Sequence, residues 1–267
     1  MASARDQGMG RGLAAGGRSE QPGRLGVVVT AGGYGRRLGL EGPKQYVLLG
    51  GQPMLARTVA ALESCPEVGG LVVVVNPEDV DFCRDEVLGG AGRVLAVVGG
   101  GRERALSVKQ GLAALFRAAD FPLAGVHDGA RPFVRPADVG RAVARLEDDP
   151  TLDGVVLGVP STDTVKLVDE EEVVVQTPPR RRVWRAQTPQ IFRTGALRQA
   201  YDVSESVLLE ATDDASLVET QGGRIALVAG DPVNIKVTTP LDLQIAELLV
   251  QQEDGRAGVR GEGAGRR

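Results

Sequence analysis

Arg36, Arg37 and Lys44 fall within nine positions of one another, behind a run of valines that ends in glycines. The stretch reads "VVVTAGGYGRRLGLEGPKQY", residues 27–46. Glycines after a strand bring backbone N–H groups to its carboxyl edge, where they can hold an anion. It matches neither common phosphate loop. Gly33-Tyr34-Gly35 is followed by Arg36-Arg37-Leu38, so the third glycine of a dinucleotide fingerprint is missing. Lys44 is followed by Gln45, so the Lys-Ser/Thr pair of a Walker loop is missing too. What remains is a cationic loop at a strand end. That chemistry suits phosphoryl or nucleotidyl transfer, where fixed positive charge stabilises a crowded phosphorus centre.

Other segments carry the same kind of signal. "GGGRERALSV" (99–108) follows an apolar run and opens a helix, with Arg104 placed to meet an anion and Ser107 a base or sugar. "VHDGARPFV" (126–134) ends a run on Asp128, where a carboxylate can meet Mg²⁺ or a substrate hydroxyl. His127 is the only histidine. It reads as structural, because nucleotidyl transfer needs no base when the attacker is a phosphate oxygen. Thr164, Lys166, Arg180 and Thr188 combine hydroxyls and cations suited to a phosphate monoester, although cross-strand pairing on an exposed ribbon would use the same residues. "TDDAS" (212–216) reads as a capped helix start, and "NIKVTTP" (234–240) places Lys236 ahead of a Pro-started helix.

The elements that must position these groups follow from hydrophobic patterning. Continuous apolar runs at 26–31, 71–76, 94–99, 124–128, 154–160 and 225–230 predict strands buried on both faces. Amphipathic stretches at 53–64, 78–88, 102–119, 136–148, 194–203, 213–222 and 240–252 predict helices between them. Alternating units of this kind give an α/β domain, a mostly parallel sheet with helices on both faces, and ligands outside the carboxyl ends of its strands. Residues 160–192 break the rhythm and predict an antiparallel hairpin followed by a strand. A lone ribbon is marginal in water, so the hairpin is expected to pack on a second subunit.

Composition agrees with one such domain. The 267 residues are 42% hydrophobic but only 3% aromatic, so aliphatic side chains build the core. Of the net charge of −4, the first 24 residues carry +2 and the last 17 carry +1, leaving −7 between them. No nucleic-acid partner is expected of so acidic a domain. No apolar run reaches membrane-spanning length, so no membrane association is expected. Cys65 and Cys83 form no metal or disulfide pattern and suit a reducing cytoplasm. Residues 1–24 and 253–267 read as disordered tails around a domain at 25–252, with an arm at about 160–182.

Taken in order, "TAGGYGRRLGLEGPKQY", "GGGRERALSV", "VHDGARPFV", "PSTDTVK", "RAQTPQIF", "TDDAS" and "NIKVTTP" resemble the 2-C-methyl-D-erythritol 4-phosphate cytidylyltransferase family of the non-mevalonate isoprenoid pathway. The resemblance runs from about Gly26 to Val250. It implies a Rossmann-like, nucleotide-diphospho-sugar transferase fold with a protruding β-hairpin dimerisation arm. It implies transfer of CMP from CTP to methylerythritol phosphate, with Mg²⁺ as cofactor and pyrophosphate released, by a cytoplasmic homodimer with exchanged arms. By motif position, Ala31, Gly32, Gly33 and Gly35 would bind CTP, and Arg37, Lys44 and Lys236 would act on the reacting phosphates. Gly101 and Ser107 would select cytosine. Asp128 would meet CTP, the second substrate or the metal, and Arg131 the second substrate. Thr164, Arg180 and Thr188 would hold the methylerythritol phosphate, the first two from the partner's arm. Arg181 offers the chemistry of Arg180 one residue on. Gly32 stands where many members have Ala, and Arg102 and Leu106 replace acids seen in some. A ribitol 5-phosphate cytidylyltransferase, or a non-catalytic nucleotide-binding regulator on the same fold, would share many of these loops.

Overall fold

The computed structural model describes residues 23–33 and 42–262, with side chains as far as 253. In chain order the strands are β1 (Leu25–Thr30), β2 (Leu48–Leu49), β3 (Gln52–Pro53), β4 (Val68–Val75), β5 (Val94–Gly99), β6 (Leu123–Asp128), β7 (Gly154–Pro160), β8 (Leu167–Val168), β9 (Val174–Gln176), β10 (Trp184–Arg193) and β11 (Ile225–Ala229). The helices are α1 (Met54–Glu63), α2 (Val80–Phe82), α3 (Arg104–Ala118), α4 (Pro136–Asp148), α5 (Thr194–Ala200), α6 (Glu205–Glu210), α7 (Asp214–Thr220) and α8 (Pro240–Glu262). A π-helical turn, Cys83–Val87, continues α2.

Seven strands form one sheet in the order β11-β7-β10-β6-β1-β4-β5. β10 runs antiparallel to both its neighbours, and the other pairings are parallel. The expected six strands and the strand after the hairpin are all in this sheet.

The valine runs are explained by two cores, one on each face. Val27 and Val29 of β1 point to the side of Leu55 and Val59 of α1 and Val139 and Leu146 of α4. Val28, between them, points to Val108, Leu112 and Leu115 of α3 and Leu197 of α5. Side chains alternate along a strand, so a strand covered on both faces must be apolar throughout. In α4, Pro136 occupies the first turn, and Val139, Ala142, Val143 and Leu146 make the buried stripe at helical spacing. A third cluster, with Leu49, Met54, Phe133, Val237, Ala246 and Val250, seats α8 beside the carboxyl edge.

Three features differ from the sequence expectation. The short ribbon β2–β3 was not anticipated; it turns on Gly50 and Gly51, both with positive φ, the conformation only glycine adopts freely. Helix α6 was also not anticipated. Finally, α8 continues to Glu262, ten residues beyond its expected end and into the segment read as a tail. Once a helix is nucleated, each further residue adds a hydrogen bond at little cost, so isolated glycines do not stop it. Among the described residues no helix is long and apolar enough to cross a membrane.

Candidate active site

A cleft of ≈ 380 Å³ opens at the carboxyl edge, bounded by the ends of β1 and β6, the turn before α3 and the approach to α8. Its lining includes Thr30–Gly33, Lys44, Gln45, Gly101–Arg104, Ser107, Asp128 and Lys236. This is where a parallel sheet exposes strand ends on either side of its first strand.

The rim is built from β1 outward. Ala31 N–H donates to Val74 O (2.7 Å) and Gly129 N–H to Thr30 O (2.8 Å), which fixes the turn after β1 between its two neighbours. Lys44 opens a single 3-10 turn, Lys44–Tyr46. Its stem crosses Gly33, and its ammonium donates to Val237 O (3.3 Å). Gly35, Arg36 and Arg37 lie outside the described residues.

The opposite wall is the turn into α3. Ser107 Oγ accepts from Gly101 N–H (3.1 Å) and lies within donating distance of the Gly101 and Glu103 carbonyls (3.2 and 3.1 Å). The hydroxyl thus shapes the loop that lines the cleft. Arg102 pairs with Glu205 of α6. Arg104 reaches behind, donating to both oxygens of Asp214 at the start of α7 (3.1 and 2.7 Å). Asp214 is fully buried and also accepts from Tyr201 Oη (2.5 Å). Asp213 caps the same helix, its carboxylate accepting from Ser216 N–H and from Gln190 Nε2 (both 2.8 Å).

Asp128 is the floor. Its Oδ2 takes Arg131 Nε and Lys236 Nζ, each at 3.1 Å, while among the described residues Oδ1 has Arg104 Nε at 3.9 Å. Burial alone would raise its pKa, but Lys236, Arg104 and Arg131 outweigh that and hold the carboxyl well below its usual range. It is therefore an anion at any working pH.

Beneath it runs a buried relay. Asp128 N–H donates to Thr188 Oγ1 (3.0 Å), which faces His127 Nδ1 (3.0 Å), and His127 Nε2 faces Arg131 O (3.1 Å). One tautomer satisfies all three contacts, with the proton on Nε2 and the threonine hydroxyl donating to Nδ1. Burial pushes the His127 pKa down to about 4, so the imidazole is neutral.

The sequence-predicted residues thus fall into groups. Ala31, Gly32, Gly33, Lys44, Gly101, Ser107, Asp128 and Lys236 meet at one cleft. Arg131 sits behind Asp128, tied to Asn234 O (2.9 Å), and Thr188 lies buried under it; neither belongs to the lining. Thr164 and Arg180 belong to the β8–β9 arm, outside the cleft of their own chain, with Arg180 donating to Thr162 O (2.8 Å). Sequence reasoning missed Asp214, Tyr201 and Gln45. Only the second Asp of "TDDAS" carried any signal, being one acid more than a helix cap needs.

Known proteins are similar to this chain over its described domain. The family model described as IspD, 2-C-methyl-D-erythritol 4-phosphate cytidylyltransferase, matches residues 25–252. The enzyme of that name from Geobacter metallireducens is 42% identical over 230 residues, covering 85% of this chain and 97% of its own. The one from Alkaliphilus metalliredigens is 40% identical over 232 residues, covering 86% and 94%. Among solved structures, 4-diphosphocytidyl-2C-methyl-D-erythritol synthase from Anaerococcus prevotii matches with a TM-score of 0.72 at 28% identity, covering 86% of this chain and all of its own. The Francisella tularensis 2-C-methyl-D-erythritol 4-phosphate cytidylyltransferase matches with a TM-score of 0.71 at 29% identity, covering 84% and 99%.

Proposed function

The chain belongs to the 2-C-methyl-D-erythritol 4-phosphate cytidylyltransferase family, and from that premise we propose how its cleft performs the family reaction. The protein is a nucleotidyltransferase of isoprenoid biosynthesis. It transfers CMP from CTP to 2-C-methyl-D-erythritol 4-phosphate, giving 4-diphosphocytidyl-2-C-methyl-D-erythritol and pyrophosphate. A phosphate oxygen of the acceptor forms a bond to the α-phosphorus as the bridging oxygen to the β-phosphorus departs with its electron pair on pyrophosphate. The nucleophile is already an anion, so no proton has to be removed from it. The observation that carries the reading is a cleft where Lys44, Arg104 and Lys236 gather at the glycine turn, while His127, beneath it, is buried and neutral.

Catalysis is then alignment and charge cancellation between two anions. Lys44 lies beside the glycine turn and Lys236 beside Asp128, which supports a role for both at the reacting phosphates, the role that Arg37 shares by its motif. Gly101, held by Ser107, offers backbone to the cytosine. Asp128 is the carboxylate that would hold Mg²⁺. Among the described residues no three carboxylate, histidine or cysteine side chains cluster, so a resident ion has no cage of its own. Magnesium normally takes one or two carboxylates with substrate phosphates and water, and Asp128, whose Oδ1 has no partner nearer than Arg104 Nε at 3.9 Å among the described residues, fits that pattern. The ion would offset triphosphate charge.

The active form we propose is a homodimer in which the arm of each subunit reaches the other's cleft and brings Thr164 and Arg180 to the acceptor phosphate. Leu167, Val168, Val173, Val174 and Val175 are all exposed on the isolated arm, which supports a partner covering them. Cytoplasmic location is supported by Cys65 and Cys83, both free and buried, with thiols pushed by burial to about 12 and 11. One assay tests the reaction: purified protein with CTP and Mg²⁺, offered methylerythritol phosphate or ribitol 5-phosphate, following pyrophosphate release. Release with the first is expected; release only with ribitol phosphate would overturn the acceptor.

A further inference from the structure

Gln45 occupies the centre of the 3-10 turn Lys44–Tyr46 and lines the cleft directly after the lysine. It is only 2% exposed. Yet neither Nε2 nor Oε1 has a hydrogen-bond partner among the described residues. The Tyr46 hydroxyl neighbours the amide, but the two make no hydrogen bond of good geometry, and the hydroxyl has none with any other described residue. Leaving a buried polar group unpaired costs on the order of 1–3 kcal/mol, whereas a leucine of similar size would avoid the cost. A buried amide with both ends unmet thus lies at the wall of an open cleft.

We propose that Gln45 is a ligand contact, its amide N–H donating to a non-bridging oxygen in the β,γ-diphosphate part of CTP. The proposal rests on the cytidylyltransferase reading above. Position selects the phosphates over the base. Gln45 shares its turn with Lys44, whose stem crosses Gly33, while the base-facing wall at Gly101 and Ser107 belongs to a different loop. Chemistry agrees. Lys44, Lys236 and Arg104 already crowd the cleft with positive charge, and a neutral amide adds a directional donor without adding repulsion.

Gln45→Leu and Gln45→Met, which keep the volume and remove the polar atoms, test this with Mg²⁺ held constant. The melting temperature should stay level or rise. Dissociation constants for CTP and for inorganic pyrophosphate should each rise about tenfold, the scale of losing one hydrogen bond to a charged group. Affinity for CMP and the KM for methylerythritol phosphate should not move. Gln45→Glu, which sets a carboxylate against the phosphates, should weaken CTP further still. A lower melting temperature with CTP affinity within twofold of wild type would make Gln45 structural and overturn the proposal. Weaker CMP with unchanged pyrophosphate would overturn it in favour of a base contact. Loss of CTP and pyrophosphate affinity in a protein that turns over neither acceptor would uphold the contact and defeat the reaction. Normal turnover by wild type, with CTP and pyrophosphate dissociation constants unchanged in both isosteric variants, would do the reverse.

Discussion

Arg104 and Asp214, 110 residues apart in sequence, meet in a two-pronged ion pair at 3.1 and 2.7 Å. The pair ties the cleft wall ahead of α3 to the start of α7, with Tyr201 as a further donor to the same carboxylate. Burial works against the Arg104 charge, but Asp214 outweighs it and holds the guanidinium above its usual value.

Removing Asp214 should therefore cost stability as well as order in the wall. Breaking a fully buried pair costs about 3–5 kcal/mol, but the Arg104 side chain is 35% exposed and regains some hydration. We expect Asp214→Ala to lose about 2 kcal/mol in urea unfolding. A loss below about 0.5 kcal/mol would show that the pair holds nothing in place.

Lys44→Ala should lower kcat by roughly 10²–10³, the scale for one preorganised charge stabiliser. Steady-state kinetics of the purified variant, at saturating CTP and acceptor, provide the check. An unchanged kcat would remove Lys44 from the transition state.

His127 makes stability depend on pH. Its pKa is lowered to about 4 by burial, against about 6.5 in the unfolded chain. Between those values the unfolded state binds the extra proton. The contribution is therefore complete above pH 6.5 and is lost as pH falls towards 4, by at most about 3 kcal/mol. Urea midpoints for wild type should drop across that window, and His127→Gln should flatten the drop. The Asp128 contribution lies on the acid side of this range, because its carboxyl is held below the usual value and its stabilisation fades only as the pH falls towards that depressed pKa. Equal slopes for wild type and His127→Gln between pH 6.5 and 4 would contradict the buried neutral imidazole.

The arm gives a complementation test. Arg180→Ala should raise the KM for the acceptor phosphate far more than that for CTP. Co-expressed Lys44→Ala and Arg180→Ala subunits should recover activity that neither homodimer has, because one of the two clefts then combines an intact Lys44 with an intact arm. Recovery of none, or a monomer in sedimentation at micromolar concentration, would exclude a shared site.

Much of this architecture was legible because it is local or periodic. Continuous valine runs announce strands covered on both faces, and Pro136 and Pro240 mark where α4 and α8 begin. The glycine turn, Lys44, Asp128 and Lys236 could be placed on one edge because each follows a strand or opens a helix there. What escaped depends on partners distant in sequence. Asp214 reads locally as a spare acid at a helix cap; only folding brings Arg104 to it. Thr188 and Arg131 read in sequence as contacts to the second substrate, and what that reading lacked are their inward hydrogen bonds to Asp128, His127 and Asn234. Gln45 is neutral and follows a conspicuous lysine, so nothing in its type points to a buried, unmet amide. Helix α6 is six residues long, too short for a periodic pattern to show.

The arm leaves the sheet after Pro160 and returns at Trp184, and those two residues are paired neighbours, closed further by Ser161 N–H donating to Val183 O (2.9 Å). The excursion therefore begins and ends at one point, so its length and sequence can change without altering any strand register behind it. In evolutionary terms it is a cassette. If the arm chooses the acceptor as proposed, a lineage could exchange it while inheriting the nucleotide machinery untouched, and grafting arms between relatives with different acceptors is the corresponding route to redesign.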